Sequence, residues 1–148
     1  MTSRIRRQIV LAAVGVCAVR VGAAEGTTGE LDAAIQAHTG GAPLHEGKVR
    51  IEMDLLVENG NAVPMSVSVA SPMSAADHVR SIAVFNQRNP QREVANFTLG
   101  PRSGRASVAT RIRLATSQKL VAIAQLSDGS FWSHSVEVIV TLAGCVET

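Results

Sequence analysis

A strict two-residue alternation, recurring in several short runs, restricts what this chain can fold into more than any other feature. Over residues 105–114, Ala106, Val108, Thr110, Ile112 and Leu114 fall on one side, and Arg105, Ser107, Ala109, Arg111 and Arg113 on the other. A period of two belongs to a strand with one face in a core and the other in water, and a helix of period 3.6 cannot reconcile it. Residues 48–56 repeat the pattern, with Val49, Ile51, Met53 and Leu55 set against Lys48, Arg50, Glu52 and Asp54. So do residues 63–69, where Pro64 points to a sheet edge because it has no N–H for the ladder. Residues 79–86, 93–99 and 131–142 are further strands. Residues 119–127 differ in being apolar on both faces, Leu120, Ala122, Ala124 and Leu126 on one and Val121 and Ile123 on the other. Such a strand is either central or covered by another protein. Turn words separate the runs: Asn59-Gly60, Ser71-Pro72, Asn89-Pro90, Gly100-Pro101 and Ser127-Asp128-Gly129-Ser130. Seven short strands with such turns predict an all-β fold, an immunoglobulin-like antiparallel β-sandwich.

The chain ahead of these strands has a different character. Arg4, Arg6 and Arg7 precede the uncharged run 9–19, and Val21-Gly22-Ala23-Ala24 supplies small residues for cleavage, which together describe an export signal. Adjacent Arg6-Arg7 indicates the twin-arginine route and a periplasmic destination. The apolar run falls short of the roughly 20 residues a membrane span needs, and Arg20 interrupts it. Next, Thr27-Thr28-Gly29-Glu30 fits a helix-starting capping box, and Leu31, Ala34, Ile35 and His38 then share one face. Gly40-Gly41-Ala42-Pro43 ends that helix and reads as a hinge. The expected organisation is an export signal over residues 1–24, a lead-in helix and linker over 25–47, the sandwich over 48–142 and a cysteine-bearing tail over 143–148.

Cleavage after Ala24 alters both the charge and the cysteine count. It removes four of the 14 basic residues and none of the 12 acidic ones, leaving ten against twelve, a net charge of −2. The basic character therefore resides in the signal and gives no reason to expect a nucleic-acid partner. Three Phe, one Trp and no Tyr also leave few platforms for stacking bases. Cys17 departs with the signal, so Cys145 becomes the sole thiol of an exported protein, which points to intermolecular pairing or a reactive sulfur. It follows Gly144, read as the residue that gives the tail its flexibility. A few residues past Leu142, at roughly 3.3 Å each, would let the sulfur reach about 10 Å from the sandwich. His38, His45, His78 and His134 lack metal-ligand spacing, and no cofactor is expected.

Taken in order, several words along the strands resemble the SoxY family, whose members bear the cysteine of the SoxYZ carrier in bacterial thiosulfate oxidation. They are Glu58-Asn59-Gly60-Asn61-Ala62-Val63-Pro64, Ser71-Pro72-Met73, Asn89-Pro90, Thr110-Arg111-Ile112-Arg113-Leu114-Ala115, Ser127-Asp128-Gly129-Ser130-Phe131-Trp132 and Gly144-Cys145. The resemblance implies a twin-arginine signal, an immunoglobulin-like sandwich and a heterodimer with a SoxZ-like subunit, with Cys145 as the covalent attachment point for sulfur. It implies a carrier that is not itself an enzyme, serving SoxAX, SoxB and, where present, SoxCD. The family tail reads Gly-Gly-Cys-Gly-Gly. Here Ala143 replaces the first glycine and Val146-Glu147-Thr148 the last pair. Val146 stiffens the tail, and Glu147 disfavours the thiolate.

Two other classes are compatible with a lone exported thiol. Cys145 would be the nucleophile of a thiol enzyme if the tail folded back to use His134 as its base. Alternatively, the chain is an immunoglobulin-like binding or structural module that has lost the carrier function. The two-faced strand 119–127 and a core short of aromatics motivate the expectation of a partner chain.

Overall fold

The computed structural model describes residues 26–145; the expected export signal and Val146, Glu147 and Thr148 lie outside them. Helix α1 (Gly26–Thr39) leads into nine strands among the described residues: β1 (Leu44–His45), β2 (Val49–Glu52), β3 (Leu56–Val57), β4 (Val63–Val69), β5 (Val79–Asn86), β6 (Glu93–Thr98), β7 (Ser107–Ile112), β8 (Gln118–Leu126) and β9 (Phe131–Val140). Six of them form one sheet in the order β1-β9-β8-β5-β6, with β3 also paired to β9, and β2-β4-β7 form the other. The two sheets face each other as a sandwich, and the expected all-β class is the observed one.

Alternation places the core. In β4, Val63, Met65, Val67 and Val69 are buried, and they meet Val49 and Ile51 of β2, Ile112 of β7, and Ile82, Val84, Leu120, Ala122, Ala124 and Val138 from the large sheet. These side chains lie between the sheets because every second residue of each strand points there.

Pro64 shows how far such a rule reaches. β4 is the middle strand of its sheet, but β2 pairs only with residues 66–69, so at Pro64 the strand has β7 alone beside it. The missing N–H therefore costs no ladder bond on the open side.

Residues 48–56 are not one strand. The alternation runs through Val49 and Ile51 and stops after Glu52; the chain then changes sheets, and β3 pairs in parallel with the end of β9, Leu56 opposite Ile139. Leu55, expected inside, is therefore 53% exposed.

Strand β8 is central, flanked by β5 and β9. Its second apolar face is covered from within the chain. Val121 and Ile123 join Ala83, Phe85, Phe131 and Leu31 of α1 in a second cluster, with Ala34 and Ile35 packed against it. Ile123 has no exposed surface, so this strand gives no support to a partner interface.

The helix is tied down rather than hinged. Gly40 and Gly41, at φ 64° and 81°, form a left-handed turn that ends the helix, and the amide of Gly41 donates to the carbonyl of Gln36. The side chain of Thr27, the expected capping residue, lies outside the described ones; the Glu30 carboxylate pairs with Arg92 in the β5–β6 connection, while Thr28 Oγ1 accepts from Gln87 Nε2.

Candidate functional site

Cys145 is exposed and free of any disulfide. The chain reaches it from β9 through a series of backbone and hydroxyl bonds. Val140 N donates to Ser117 Oγ at 2.8 Å, Thr141 N to the carbonyl of Val57 at 2.9 Å, and Thr141 Oγ1 to the carbonyl of Glu58 at 3.1 Å. Beyond Thr141 the tail crosses the β3–β4 turn. Gly60 N donates to the Leu142 carbonyl, Leu114 N to the Gly60 carbonyl and Gly144 N to the Leu114 carbonyl, each at 2.8 Å. Cys145 N then donates to Asn61 Oδ1, also at 2.8 Å.

Two glycines make this crossing possible. A Cβ on Gly60 would lie 2.3 Å from the Leu114 carbonyl oxygen and 2.7 Å from Gly144 N; one on Gly144 would lie 2.5 Å from the Gly60 oxygen and 2.8 Å from that of Leu114. Neither position has room for a side chain. Gly144, read from the sequence as a source of tail flexibility, is buried here, and its lack of a Cβ is what lets the two backbones approach this closely.

The clamp is rooted in the interior. Leu114, which contributes both an amide and a carbonyl to it, has no exposed surface. Residues on either side of Leu114 are held by buried Asn89: its Nδ2 donates to the Arg113 carbonyl at 2.7 Å, and its Oδ1 accepts from Ala115 N at 3.0 Å and from Gln118 Nε2 at 2.8 Å. Asn86 Oδ1 in turn accepts from Asn89 N at 2.7 Å. Buried amides of this kind persist because their hydrogen bonds are satisfied. Asn61, Asn89 and Leu114 all fall in words that carry the family resemblance, but nothing in those words marked them as neighbours of the thiol.

His134 is not brought to Cys145. It sits in the middle of β9 opposite Ala122, and its Nδ1 accepts from Ile51 N at 3.1 Å. From there to Val140, where the approach to the tail begins, is about 20 Å of extended strand. A proton-transfer pair needs hydrogen-bond reach, so His134 is no base for this thiol. The other histidines are dispersed. His38 lies edge-on to Phe85 at 5.2 Å, His45 lies against Trp132 at 5.2 Å, and His78 Nδ1 meets the Ser74 carbonyl at 3.1 Å. Among the described residues no group of three or more His, Cys, Asp or Glu could hold a metal ion, and no helix is long and apolar enough to cross a membrane.

Sheet order and site together define a two-layer β-sandwich that fixes one free thiol at a corner between its layers. The family described as "Sulfur oxidation protein SoxY" matches residues 35–145, ending at the cysteine, and the chain belongs to that family. A search among curated proteins returns no match. Among solved structures, the chain is similar to a superoxide reductase (neelaredoxin) from Ignicoccus hospitalis, with 22% identity over 64% of this chain and 80% of that one and a TM-score of 0.57. It is also similar to a putative superoxide reductase from Thermotoga maritima, with 24% identity over 66% and 87% and a TM-score of 0.55. A superoxide reductase from Nanoarchaeum equitans matches at 12% identity over 65% and 100%, TM-score 0.54. At these identities the likeness is one of fold.

Proposed function

We propose that this sulfur-oxidation protein is a carrier subunit that holds thiosulfate-derived sulfur covalently on Cys145. The observation that carries the reading is a free, exposed sulfur held at the rim by its own backbone, with no base or second thiol engaged with it among the described residues. Such a thiol is suited to being acted upon.

In the first step the Cys145 thiol and the outer sulfur of thiosulfate form a disulfide, giving Cys–S–S–SO₃⁻. The thiol proton goes to solvent and two electrons go to a haem enzyme of the SoxAX type. Water then cleaves the sulfur–sulfonate bond in a SoxB-type site, releasing sulfate and leaving a persulfide on Cys145. SoxCD-type oxidation of the outer sulfur follows in organisms that have it. The chain contributes the nucleophile and its placement.

In this reading the protein works in the periplasm, after export by the twin-arginine route, as a heterodimer with a SoxZ-like subunit. Arg6-Arg7 and the small residues ending at Ala24 support the export. Leu56, Ile139 and Leu142, between 58% and 62% exposed, offer apolar surface to a partner in place of the covered face of β8.

Intact-mass analysis after incubation with thiosulfate and an active SoxAX-type enzyme tests the reading. An adduct on the Cys145 peptide, removed by reductant and absent from Cys145→Ser, is expected. An adduct that survives in Cys145→Ser, or none on the wild type when the same enzyme loads another carrier, rejects it.

A further inference from the structure

We infer that the open edge of β7, beside the β5–β6 connection, is a binding site for a tetrahedral sulfur oxyanion of the sulfate and thiosulfate class. Such a site goes beyond the carrier reading and does not depend on it, since an anion can be held whether or not Cys145 carries sulfur. Arg111 in β7 and Arg113 just past its end are both exposed and lie two residues apart, about 7 Å along an extended chain. Among the described residues neither takes part in an ion pair, whereas Arg50 and Arg92 do. Two like charges this close repel, and an anion between them relieves that repulsion. With Asn89, Gln91, Val94 and Ile112 they line a cleft of about 320 Å³.

Backbone direction supplies a second observation. β7 has one neighbour in its sheet, β4, so its far edge is open. Leu114 N points to the β4 side, where it donates to the Gly60 carbonyl. Along an extended chain the amide and carbonyl of one residue point the same way and those of the next residue the opposite way, so the amides of Arg111 and Arg113 face away from β4, toward the cleft. Asn89 shows the same direction: its Nδ2, on the far side, donates to the Arg113 carbonyl at 2.7 Å. That bond also covers an oxygen that would otherwise repel an anion. Among the described residues the Arg113 amide donates to no backbone carbonyl. The cleft thus offers two cationic side chains and two outward N–H groups, the set that oxyanions take. It is too short for an added strand, because Asn89 already occupies the edge at Arg113. Geometry alone would accept phosphate as well; membership of a sulfur-oxidation family makes sulfate and thiosulfate the anions at hand.

An NMR titration of the full chain at low salt tests this, with sodium thiosulfate and sodium sulfate as probes and sodium chloride at matched ionic strength as the reference. Either sulfur anion should move the Arg111 and Arg113 amide signals to saturation, and chloride should not. Arg111→Ala and Arg113→Ala should each weaken the interaction about fivefold to tenfold, and together abolish it. Both side chains are exposed, so the variants should fold as the wild type does. Arg50→Ala, on β2 of the same sheet, serves as the control and should leave the titration unchanged. A response matched by chloride overturns the inference, because it is screening alone. So does saturation that survives the loss of both arginines. A response confined to a hexaglutamate peptide also overturns it, and assigns the edge to an acidic segment of a protein partner. Adduct formation on Cys145 is measured separately: a carrier that loads normally while binding neither anion would reject this site alone.

Discussion

The outer face of the large sheet and the thiol corner both draw on strand β9, the first through Phe131 at its start and the second through the chain beyond its end, yet different physics holds them. Under α1, Leu31, Phe85, Val121, Ile123 and Phe131 are buried against one another, with the His38 ring edge-on to Phe85 and Phe131. At the corner the sulfur is exposed, and what holds its backbone is a set of hydrogen bonds at 2.8 Å between peptide groups brought together by two glycines. Burial is forgiving about geometry and scales with area, at roughly 25 cal/mol per Å². Close backbone approach is the reverse: it adds little apolar area and tolerates no added atom. Substitutions on the first should change how stable the fold is, and substitutions at the second should change where the thiol sits.

The largest effect belongs to the covered face. Ile123→Asp places a carboxylate where there is no exposed surface and no partner, which should cost more than about 4 kcal/mol and unfold the domain. Circular dichroism and sizing of the purified variant check this. A folded Ile123→Asp that had lost only its partner would mean that this face is an interface after all and would break the comparison.

Gly60→Ala should come next. Its Cβ would lie 2.3 Å from one backbone oxygen and 2.7 Å from one backbone nitrogen, so the turn or the tail must shift, at a cost of about 1–3 kcal/mol. The expected signature is selective: faster amide exchange at Leu114 and Gly144, with core amides keeping their order of protection. Exchange that rises uniformly would show that the corner is part of the global fold and would blur the distinction.

How far the sequence reveals each region follows from the same contrast. The strands of the core are local patterns, so Val63–Val69 and the helix face of Leu31, Ala34, Ile35 and His38 can be read from spacing alone. What covers β8 cannot, because an apolar face does not say whether its cover lies in the same chain. The change of sheet after Glu52 leaves no local mark either, since Leu55 continues the alternation while the backbone turns away. At the site, Cys145 is conspicuous as the one cysteine beyond the expected export signal. Its anchoring is not, because the approach of Gly144 to Gly60 joins positions far apart in the chain, and a glycine needed for close contact looks in sequence like one needed for freedom. His134 misleads for a related reason: its hydrogen bond to Ile51 N serves the strand β2 beside it.

That hydrogen bond gives a smaller test between the two regions. His134→Phe keeps an aromatic ring but removes the acceptor, leaving the Ile51 amide without its partner, and should cost about 1 kcal/mol. Urea unfolding should show a lower midpoint with an unchanged slope. Exchange at Gly144 and Cys145 should not change, since the bond is remote from the corner. A change there would couple the middle of β9 to the tail and sharpen the comparison into a linkage.

The smallest effect concerns acidity and separates the corner from the β8–β9 turn at Ser127-Asp128-Gly129-Ser130. The bonds at the corner are made by peptide groups and by Asn61, none of which titrates in the ordinary range. Asp128 does titrate. The Ser130 hydroxyl, 2.6 Å from its Oδ1, and the Ser130 amide, at 2.9 Å, favour the carboxylate and hold its pKa below the ordinary value of 3.8. A carboxylate depressed in the folded state adds stability above its unfolded pKa and loses it as the pH falls through the folded one. Acidification into that range should therefore loosen the turn first. Trp132, whose Nε1 donates to Ser130 Oγ at 3.0 Å, reports on it directly. In an NMR titration the Trp132 indole and Ser130 amide signals should move together with the Asp128 carboxyl, while Leu114 and Gly144 amides stay in place. Ser130→Ala should bring the Asp128 midpoint back up toward its ordinary value. Corner amides that move in step with Asp128 would mean that the clamp senses charge from the far turn, contrary to its construction from neutral groups.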